Sequence, residues 1–342
     1  MSALPASEKT VEQTAAKMNV IQAINLALDD AMAGDPNVIV IGEDVADREQ
    51  GGVCGVTKGL STKYGALRVR STPISEQAIV GAAIGAAIAG LRPVAEIMLM
   101  NFTTVAMDMI VNHAAKLRFM SGGQTHVPLV IRTMTGAGLG SGGQHADYLE
   151  AWFAHVAGIK VVAPSNPADA YGLMLSCVED PDPCLYIEHM PSYWTPGVAP
   201  QRGTRVPLGK ARIARAGSDV TVVTYSGMVG PCLAAAESLA KRGTGVELID
   251  LRTISPWDEE TVLDSVAKTK RAVVVHEAAR RFGVGAEIAA TIGKALFGSL
   301  RAPIQRVGSP DCPVPFSKQL EAAFLPDETR IISAIMKTLE PA

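Results

Sequence analysis

The sequence is poor in charge and has no run of basic residues. Only 19% of its 342 residues are Asp, Glu, Lys or Arg, the formal net charge is −3, and the isoelectric point is about 6.1. Domains that coat nucleic acid usually have an isoelectric point above about 9 and cluster Lys and Arg on one face. The composition therefore argues against nucleic acid and anionic membrane surfaces as main partners.

The cysteines do not follow the spacing of a disulfide framework or of a zinc site. Their number is odd, no Cys-x-x-Cys pair occurs, and no Cys/His set has zinc-ligand spacing. We expect reduced thiols, mostly small buried residues, in a cytoplasmic protein. The five cysteines are Cys54, Cys177, Cys184, Cys232 and Cys312.

No segment of the sequence has both the length and the apolarity of a membrane span. The first 17 residues are polar and lack the apolar region of a signal peptide, and we expect them to form a flexible extension. The Gly/Ala-rich segment 72–90 includes Glu76, and only about 14 apolar-compatible residues follow it, where a span needs about 20. The sequence thus predicts no contact with a membrane.

Apolar residues, in contrast, are abundant. They make up 48% of the chain, and the mean hydropathy is +0.20. A chain of this length is expected to form two domains with well-filled cores. The positive mean hydropathy further suggests that some apolar surface is buried against other subunits.

Short apolar runs alternate with helical patterns along the chain, which is typical of parallel α/β sheets. Residues 190–217 interrupt the alternation, because they are rich in Pro and Gly and lack helical periodicity. We therefore predict an α/β fold with two parallel-sheet domains, divided into a flexible extension (1–17), a first domain (18–195), a linker (196–217) and a second domain (218–342). The predicted strands are 37–44, 93–100, 127–134, 159–165, 184–189, 219–226, 245–252 and 272–278, and the main predicted helices lie near 19–33, 228–242, 258–268 and 284–297.

The segment 72–90 is predicted to contain a closely packed helix. Pro73 prevents a helix from continuing through it, and Ser75 is a good N-cap, so that Glu76 falls in the first turn. The glycines and alanines that follow leave little side-chain bulk, which indicates close approach of another helix or a ligand. Glu76 then has two possible roles: it complements the helix dipole, or it shares a proton with a bound base beside apolar walls.

A glycine-rich loop carries the histidine of greatest interest. Gly138, Gly140 and Gly143 match G-x-G-x-x-G, but a dinucleotide site also needs an acid about 20 residues further on, and the region IKVVAPS has none. We therefore expect no NAD and interpret the glycines as a flexible loop that brings His145 to a cavity. The alternative is a solvated histidine without a role, since histidine titrates near neutrality wherever it lies. His155, in the apolar segment AWFAH, is predicted to be packed.

Several ordered blocks of the sequence resemble one protein family. They include TPISEQAIVGAAIGAAIAG, NFTTVAMDMIVNHAAKLRFMSGG, QHADYLEAWFAHVAGIKVVAPSNPADAYGL and DLRTISPWD. From about Asn19 onward the chain resembles the beta subunits of thiamine-diphosphate-dependent 2-oxo acid dehydrogenases, and GGVCGVTKGL (51–60) resembles the acetoin-dehydrogenase branch. The resemblance implies a transketolase-like pyrimidine-binding domain followed by a transketolase C-terminal-like domain. It also implies an oxidoreductase subunit that cleaves a 2-oxo acid or acetoin next to its carbonyl and passes the acyl group to a lipoylated acyltransferase.

The resemblance also implies a second type of chain. In the family, an alpha subunit carries the G-D-G…N motif that holds magnesium and the diphosphate, and no G-D-G occurs in this sequence. The expected assembly is a heterotetramer of two alpha and two beta chains, which is active only when both chains are present.

The residues that match the family's cofactor pocket are Glu76, Phe102, Ile74 and Met98. By resemblance, the carboxyl group of Glu76 hydrogen-bonds a ring nitrogen of the cofactor's aminopyrimidine, and the ring of Phe102 stacks on its face. Ile74 and Met98 match positions that line the same pocket.

His145 matches a histidine that, in the family, orients the lipoyl group and donates a proton during acyl transfer. The family pattern is His-Ser-Gln, whereas this chain has His145-Ala146-Asp147. This departure leaves open a thiamine-dependent carboligase or split transketolase-like subunit that transfers nothing to lipoate. A separate, non-enzymatic alternative is a scaffold for the alpha chain.

Relatives also hold a structural potassium ion through backbone carbonyl groups around LSCVEDPDPC. Carbonyl ligands leave little trace in a sequence, so this expectation follows from the resemblance alone. The matching residues here are Leu129, Cys177, Asp180 and Asp182.

Overall fold

A seven-stranded sheet forms the centre of the first half of the chain. In spatial order its strands are β12 (Thr253–Ser255), β6 (Lys160–Val162), β7 (Cys184–His189), β5 (Val130–Thr135), β4 (Arg92–Leu99), β2 (Val38–Glu43) and β3 (Val69–Thr72). The computed structural model describes residues 16–340. The six strands from β6 to β3 are parallel, and β12 is antiparallel at the edge.

The middle strands of this sheet are buried on both faces, as expected for parallel strands that helices cover on both sides. The chain passes from β2 to β3 on one side and then to β4 on the other, so the strand order changes direction at β2. In open α/β sheets, ligands bind outside the carboxyl ends of the strands at such a switch point.

Helices pack on both faces of the first sheet. They are α1 (Val20–Gly34), α2 (Leu60–Tyr64), α3 (Glu76–Ile88), α4 (Leu117–Met120), α5 (Glu150–Ala154) and α6 (Pro167–Glu179), with a π-helical turn at Met109–Ala114 and 3-10 turns at Asp47–Glu49, Met100–Thr104 and Met190–Ser192. A capping box starts α1, in which Asn19 and Gln22 each accept a hydrogen bond from the other's backbone N–H, at 2.9 and 3.0 Å. Helix α3 starts directly after Ser75, although the Ser75 side chain makes no capping hydrogen bond.

A five-stranded sheet forms the second half of the chain. In spatial order its strands are β14 (Gln305–Ser309), β13 (Ala272–Ala279), β10 (Val220–Thr224), β11 (Val246–Asp250) and β9 (Arg212–Arg215). The first four are parallel and β9 is antiparallel. The accompanying helices are α7 (Val229–Ala240), α8 (Glu259–Thr269), α9 (Val284–Ala295), α10 (Lys318–Phe324) and α11 (Glu328–Leu339), with a 3-10 turn at Ser226–Met228.

Two short strands connect segments that are distant in the sequence. Strand β1 (Lys17–Met18) pairs antiparallel with β8 (Gly197–Val198). Strand β12 follows β11 along the chain but pairs with β6 of the first sheet, so that the second half completes the sheet of the first. Strand β9 lies within the predicted linker 196–217. Residues 1–15 of the predicted extension lie outside the described residues.

The predicted fold class is confirmed, since both halves are α/β units with mainly parallel strands. All five cysteines are free thiols, and three of them are buried, whereas Cys54 is half-buried and Cys312 is exposed. His155, predicted to be packed, is also exposed, because it lies at the C-cap of the short helix α5, after the last helical residue. No helix within residues 16–340 is long and apolar enough to cross a membrane.

Candidate active site

The residues predicted to form the site follow the carboxyl ends of strands in the first sheet. Glu76 follows β3, Phe102 follows β4, and the glycine loop with His145 follows β5. Strand β2, which lies between β3 and β4, ends at Glu43. Because parallel strands end at the same edge of a sheet, this arrangement places all four residues along one edge, at the switch point.

Glu76 is the first residue of α3 and lies near a second carboxylate. Burial raises the pKa of Glu43 above its ordinary value, and the negative charge of Glu76 raises it further, while a backbone hydrogen bond from Ser75 opposes the rise. The sequence predicted apolar walls around Glu76. Instead Glu76 is half-buried, and Ile74 is 83% exposed. The reason is local: β2 ends at the acidic residue Glu43 and is followed by Asp44, and the exposed residues 73–75 carry Ile74 away from the sheet edge.

Phe102 and His145 are in contact. Their ring centroids are 5.6 Å apart and their planes are inclined by 72°, an edge-on arrangement that aromatic rings favour. Both side chains are half-buried. Met98, near the end of β4, packs on the same apolar cluster as Phe102. The structure thus joins Phe102 to His145 on one side and to the cluster around Met98 on the other.

The segment His145-Ala146-Asp147, which departs from the family pattern, is held in place by Asn101. The Asn101 amide nitrogen donates to the Asp147 carboxylate at 2.9 Å and to the Gly143 carbonyl at 3.2 Å, and the Asp147 N–H donates to the Asn101 side-chain oxygen at 3.2 Å. Ala146 is buried in an apolar cluster, where a serine hydroxyl would need a hydrogen-bond partner. Asn101 therefore anchors the loop on both sides of His145. Sequence reasoning missed Asn101, whose only signal was its place in the Asn-Phe pair.

A buried ionic network links three strands of the same sheet. Arg132 on β5 pairs with Glu96 on β4 and with Glu188 on β7, to which its Nη2 donates at 3.0 Å. The Tyr193 hydroxyl also donates to Glu188. Burial raises the pKa of Glu188, and the charge of Arg132 opposes this rise. The network was not predicted because the strand sequence VIRTM has the pattern of an apolar run.

A buried carboxylic acid lies between the two halves of the chain. Glu150 is fully buried, and the Tyr225 hydroxyl of the second half donates to its Oε1 at 2.6 Å. Next to it, the Tyr148 hydroxyl donates to Ser226 Oγ at 2.6 Å. Burial raises the pKa of Glu150 to about 8, the charge of Glu277 adds to the rise, and the Tyr225 hydrogen bond opposes it. At neutral pH the folded chain therefore holds Glu150 mainly in its protonated form.

We expect Glu150 to make the free energy of unfolding fall as the pH rises from 4.5 to about 8. The unfolded chain loses the Glu150 proton near the ordinary pKa of 4.5, whereas the folded chain keeps it until about pH 8. The contribution is fully present below pH 4.5, and the loss is at most about 1.4 kcal/mol for each pH unit between the two pKa values. Glu150→Gln keeps the acceptor for Tyr225 and cannot ionise, so its thermal midpoint should change less over this range. Identical pH profiles of the two proteins in calorimetry would contradict the assignment.

The residues expected to hold potassium lie where α6 ends and β5 and β7 begin. The carbonyl oxygens of Leu129 and Cys177 each accept one backbone hydrogen bond, at 2.8 and 3.3 Å. The side-chain carboxylates of the other two residues, Asp180 and Asp182, each have a cationic partner. The Lys160 ammonium lies 2.7 Å from Asp180, and Arg118 donates to Asp182 at 2.6 Å. Within residues 16–340, no group of three or more His, Cys, Asp or Glu side chains could hold a metal ion.

Two family models match most of the chain. The family described as "Transketolase, pyrimidine binding domain" matches residues 16–194, and "Transketolase, C-terminal domain" matches residues 209–331. Among solved structures, "Split gene transketolase, inactive beta4 tetramer" is similar with a TM-score of 0.76 and 20% identity, covering 94% of this chain and 98% of that chain. The chain thus has the transketolase-like fold in both halves.

Two similar proteins indicate to which group of transketolase-like proteins the chain belongs. The chain is 46% identical over 334 residues to the acetoin:2,6-dichlorophenolindophenol oxidoreductase subunit beta of Cupriavidus necator, covering 95% of this chain and 98% of that protein. It is 44% identical over 326 residues to the pyruvate dehydrogenase E1 component subunit beta of Staphylococcus epidermidis, covering 95% and 99%. The chain belongs to the family of beta subunits of thiamine-diphosphate-dependent 2-oxo acid and acetoin dehydrogenases. The predicted family and oxidoreductase class are confirmed.

Proposed function

We propose that this chain supplies the pyrimidine-binding half of the active site of an acetoin dehydrogenase. The observation that carries the proposal is the position of Glu76 at the start of α3, on the same sheet edge as Phe102 and His145. An alpha chain would supply the groups that hold magnesium and the diphosphate, because this sequence has no G-D-G motif. The proposed assembly has two alpha and two beta chains, and the proposed domain division remains 18–195, 196–217 and 218–342.

The residues at this edge fit an aminopyrimidine ring. The half-buried carboxyl group of Glu76 can hydrogen-bond a ring nitrogen and exchange a proton with it. Phe102 offers an aromatic face, and Met98 and the exposed Ile74 offer apolar contacts. When bound, thiamine diphosphate supplies the nucleophilic carbon and the electron sink that cleavage next to a carbonyl requires. The role of this chain is to bind the aminopyrimidine ring and to exchange a proton with it through Glu76.

The charge around the site favours a neutral substrate. Glu43, Asp44 and Glu76 lie close together after the ends of β2 and β3, and within residues 16–340 none of them forms a salt bridge with a Lys, Arg or His side chain. A carboxylate substrate would be repelled by these groups, whereas the hydroxyketone acetoin carries no charge. Segment 51–60, which resembles the acetoin branch, lies close by, with Cys54 Sγ 3.9 Å from Met134 Sδ at the end of β5. We therefore place acetoin before pyruvate.

His145 is proposed to act in transfer of the acyl group to a lipoylated acyltransferase. It is half-buried, touches Phe102 and lies on a loop that Asn101 anchors. A histidine held in this way can direct a disulfide of the lipoyl group to the acyl carbon and donate the proton that the reduced sulfur takes up. Cleavage of acetoin between its carbonyl and carbinol carbons would release acetaldehyde and leave a two-carbon unit at the aldehyde oxidation level. The lipoyl disulfide would oxidise this unit by two electrons: one sulfur would take the acyl group as a thioester, and the other would become a thiol by taking up a proton.

The test is reconstitution of the chain with an alpha chain from a neighbouring reading frame that contains G-D-G. The pair, thiamine diphosphate and magnesium should reduce 2,6-dichlorophenolindophenol with acetoin faster than with pyruvate at equal concentrations, and should acylate a free lipoyl domain. Preference for pyruvate would overturn the substrate proposal. Turnover without any acyl-lipoyl product would favour the carboligase alternative, and activity of the alpha chain alone would favour the scaffold alternative.

Potassium is proposed to bind backbone carbonyl oxygens of Leu129, Cys177, Asp180 and Asp182. In support, Leu129 and Cys177 are buried, and the carbonyl oxygen of each accepts one backbone hydrogen bond. An ion that binds only the folded state stabilises it by mass action. We expect thermal unfolding to occur at a higher temperature in potassium chloride than in sodium chloride of equal ionic strength, by roughly one to a few degrees. Equal midpoints in the two salts would rule out the site.

A further inference from the structure

Two carboxylates from the second half of the chain bind the glycine loop that precedes His145. The N–H of Ala137 donates to Glu277 Oε1 at 2.7 Å. The N–H groups of Gly138 and Gly140 donate to the two oxygens of Glu321, at 2.6 and 2.9 Å. Glu277 lies at the end of β13 and Glu321 lies in α10, so the loop of one domain is held by two elements of the other.

Both carboxylates are buried, so that forming these contacts costs desolvation free energy that other interactions must offset. Glu277 is 4% exposed and Glu321 is 1% exposed. A buried carboxylate without compensation is strongly disfavoured. Glu277 is compensated by His189, whose Nε2 lies 3.0 Å from Oε2. Glu321 forms no salt bridge within residues 16–340. Its carboxylate accepts hydrogen bonds from the N–H groups of Gly138 and Gly140.

The glycines allow the loop to present these N–H groups. Gly136 and Gly138 have φ values of +125° and +117°, which other residues rarely adopt. Backbone N–H groups of a turn that point to one side can bind an anion, and here the N–H groups of Gly138 and Gly140 bind the side chain of Glu321. The G-x-G-x-x-G pattern therefore binds a carboxylate of its own chain.

An apolar cluster supports the same contact between the domains. Ala137 and Ala146 of the loop are buried against Val314 and Phe324 of the second half. Asn101 thus holds the loop immediately before and after His145, and the second domain holds its earlier part, residues 137–140.

We infer that Glu321, assisted by Glu277, is a positioning residue that sets the place of His145 through the backbone of residues 137–140. The functional part of this inference rests on the proposed role of His145 in acyl transfer. The structural part, that the Glu321 carboxylate orders the loop, does not depend on that role.

The test compares Glu321→Gln with Glu247→Gln in the alpha–beta pair. Gln at 321 keeps the shape but offers one acceptor oxygen, and its amide N–H group would face a loop N–H. Glu247 is a matched control, because it is 2% exposed in the same domain but bonds Ser265 and Lys268 instead of the loop. In Glu321→Gln, the amides of Gly138 and Gly140 should exchange hydrogen about tenfold faster or more, as expected for loss of a charge-assisted hydrogen bond.

The catalytic readout separates the two half-reactions. Glu321→Gln should lower kcat/KM for the lipoyl domain by about tenfold to a hundredfold, the cost of a misplaced catalytic group, and change dye reduction by less than about threefold.

Unchanged amide exchange would overturn the positioning of the loop by Glu321. Faster exchange with normal lipoyl acylation would overturn the link to His145. If His145→Ala itself acylates lipoyl domains normally, the proposed function of His145 fails while the exchange result still decides the role of Glu321. Should Glu321→Gln not assemble, Glu321→Asp, which keeps the charge but is one methylene shorter, gives the same readouts.

Discussion

Replacing Glu76 by Gln is expected to lower acetoin turnover by the alpha–beta pair by about a hundredfold or more. A positioned acid–base group contributes about 10²–10⁴-fold to catalysis, and Gln can neither accept nor release the proton. Glu76 is the first residue of α3, and its side chain is half-buried and is not part of the hydrophobic core. Assembly and thermal stability should therefore change little. The measurement is steady-state dye reduction at saturating cofactor, with assembly checked by size-exclusion chromatography.

Gln77→Ala is the matched control, since Gln77 is the next residue of the same helix turn and is exposed. It should retain turnover within about twofold, as surface substitutions usually leave structure unchanged. If Glu76→Gln were as active as this control, Glu76 would only complement the dipole of α3, and the cofactor site would have to be sought elsewhere.

His145→Ala is expected to separate the two half-reactions. Lipoyl acylation should fall by about 10²-fold or more, the typical contribution of a general acid, while dye reduction stays within about threefold. The reason is position: His145 touches the edge of Phe102 and lies on a loop after β5, whereas Glu76 follows β3 at the other side of β2. The measurement is the rate of acyl-lipoyl formation by mass spectrometry beside the dye assay.

His126→Ala is a suitable control because His126 is exposed and precedes the amino end of β5, at the opposite end of the strand from the site. Both half-reactions should proceed normally in this variant. An equal loss of the two activities in His145→Ala would mean that His145 supports the cofactor site as a whole and has no specific part in acyl transfer.

The sequence predicted correctly those strands whose apolar runs match the burial of the strand in the structure. The predicted strands 37–44, 93–100 and 184–189 correspond to β2, β4 and β7, because continuous apolar runs specify strands that are buried on both faces. Strand β3 was missed, since its sequence VRST has only one apolar residue and is only four positions long. Strand β12 was missed because three residues acquire strand geometry only through their pairing with β6.

The site was predictable only where a single residue carries the chemistry. Glu76 and His145 were found from a helix start and a glycine loop. Asn101 and Glu321 were not, because their partners lie 46 and 181–183 positions away in the sequence, and only folding brings them into contact. The exposure of Ile74 was also unpredictable, since it depends on how the turn after β3 leaves the sheet.

The placement of β12 has a consequence for how the gene could be divided. Strand β6 consists of Lys160, Val161 and Val162, and β12 covers its outer side with backbone hydrogen bonds. A fragment that ended before residue 253 would leave this apolar strand with free N–H and C=O groups, which recruit other chains and promote aggregation. We therefore expect a fragment that ends near residue 200 to aggregate when it is produced alone, and to stay in solution when it is produced together with the second half.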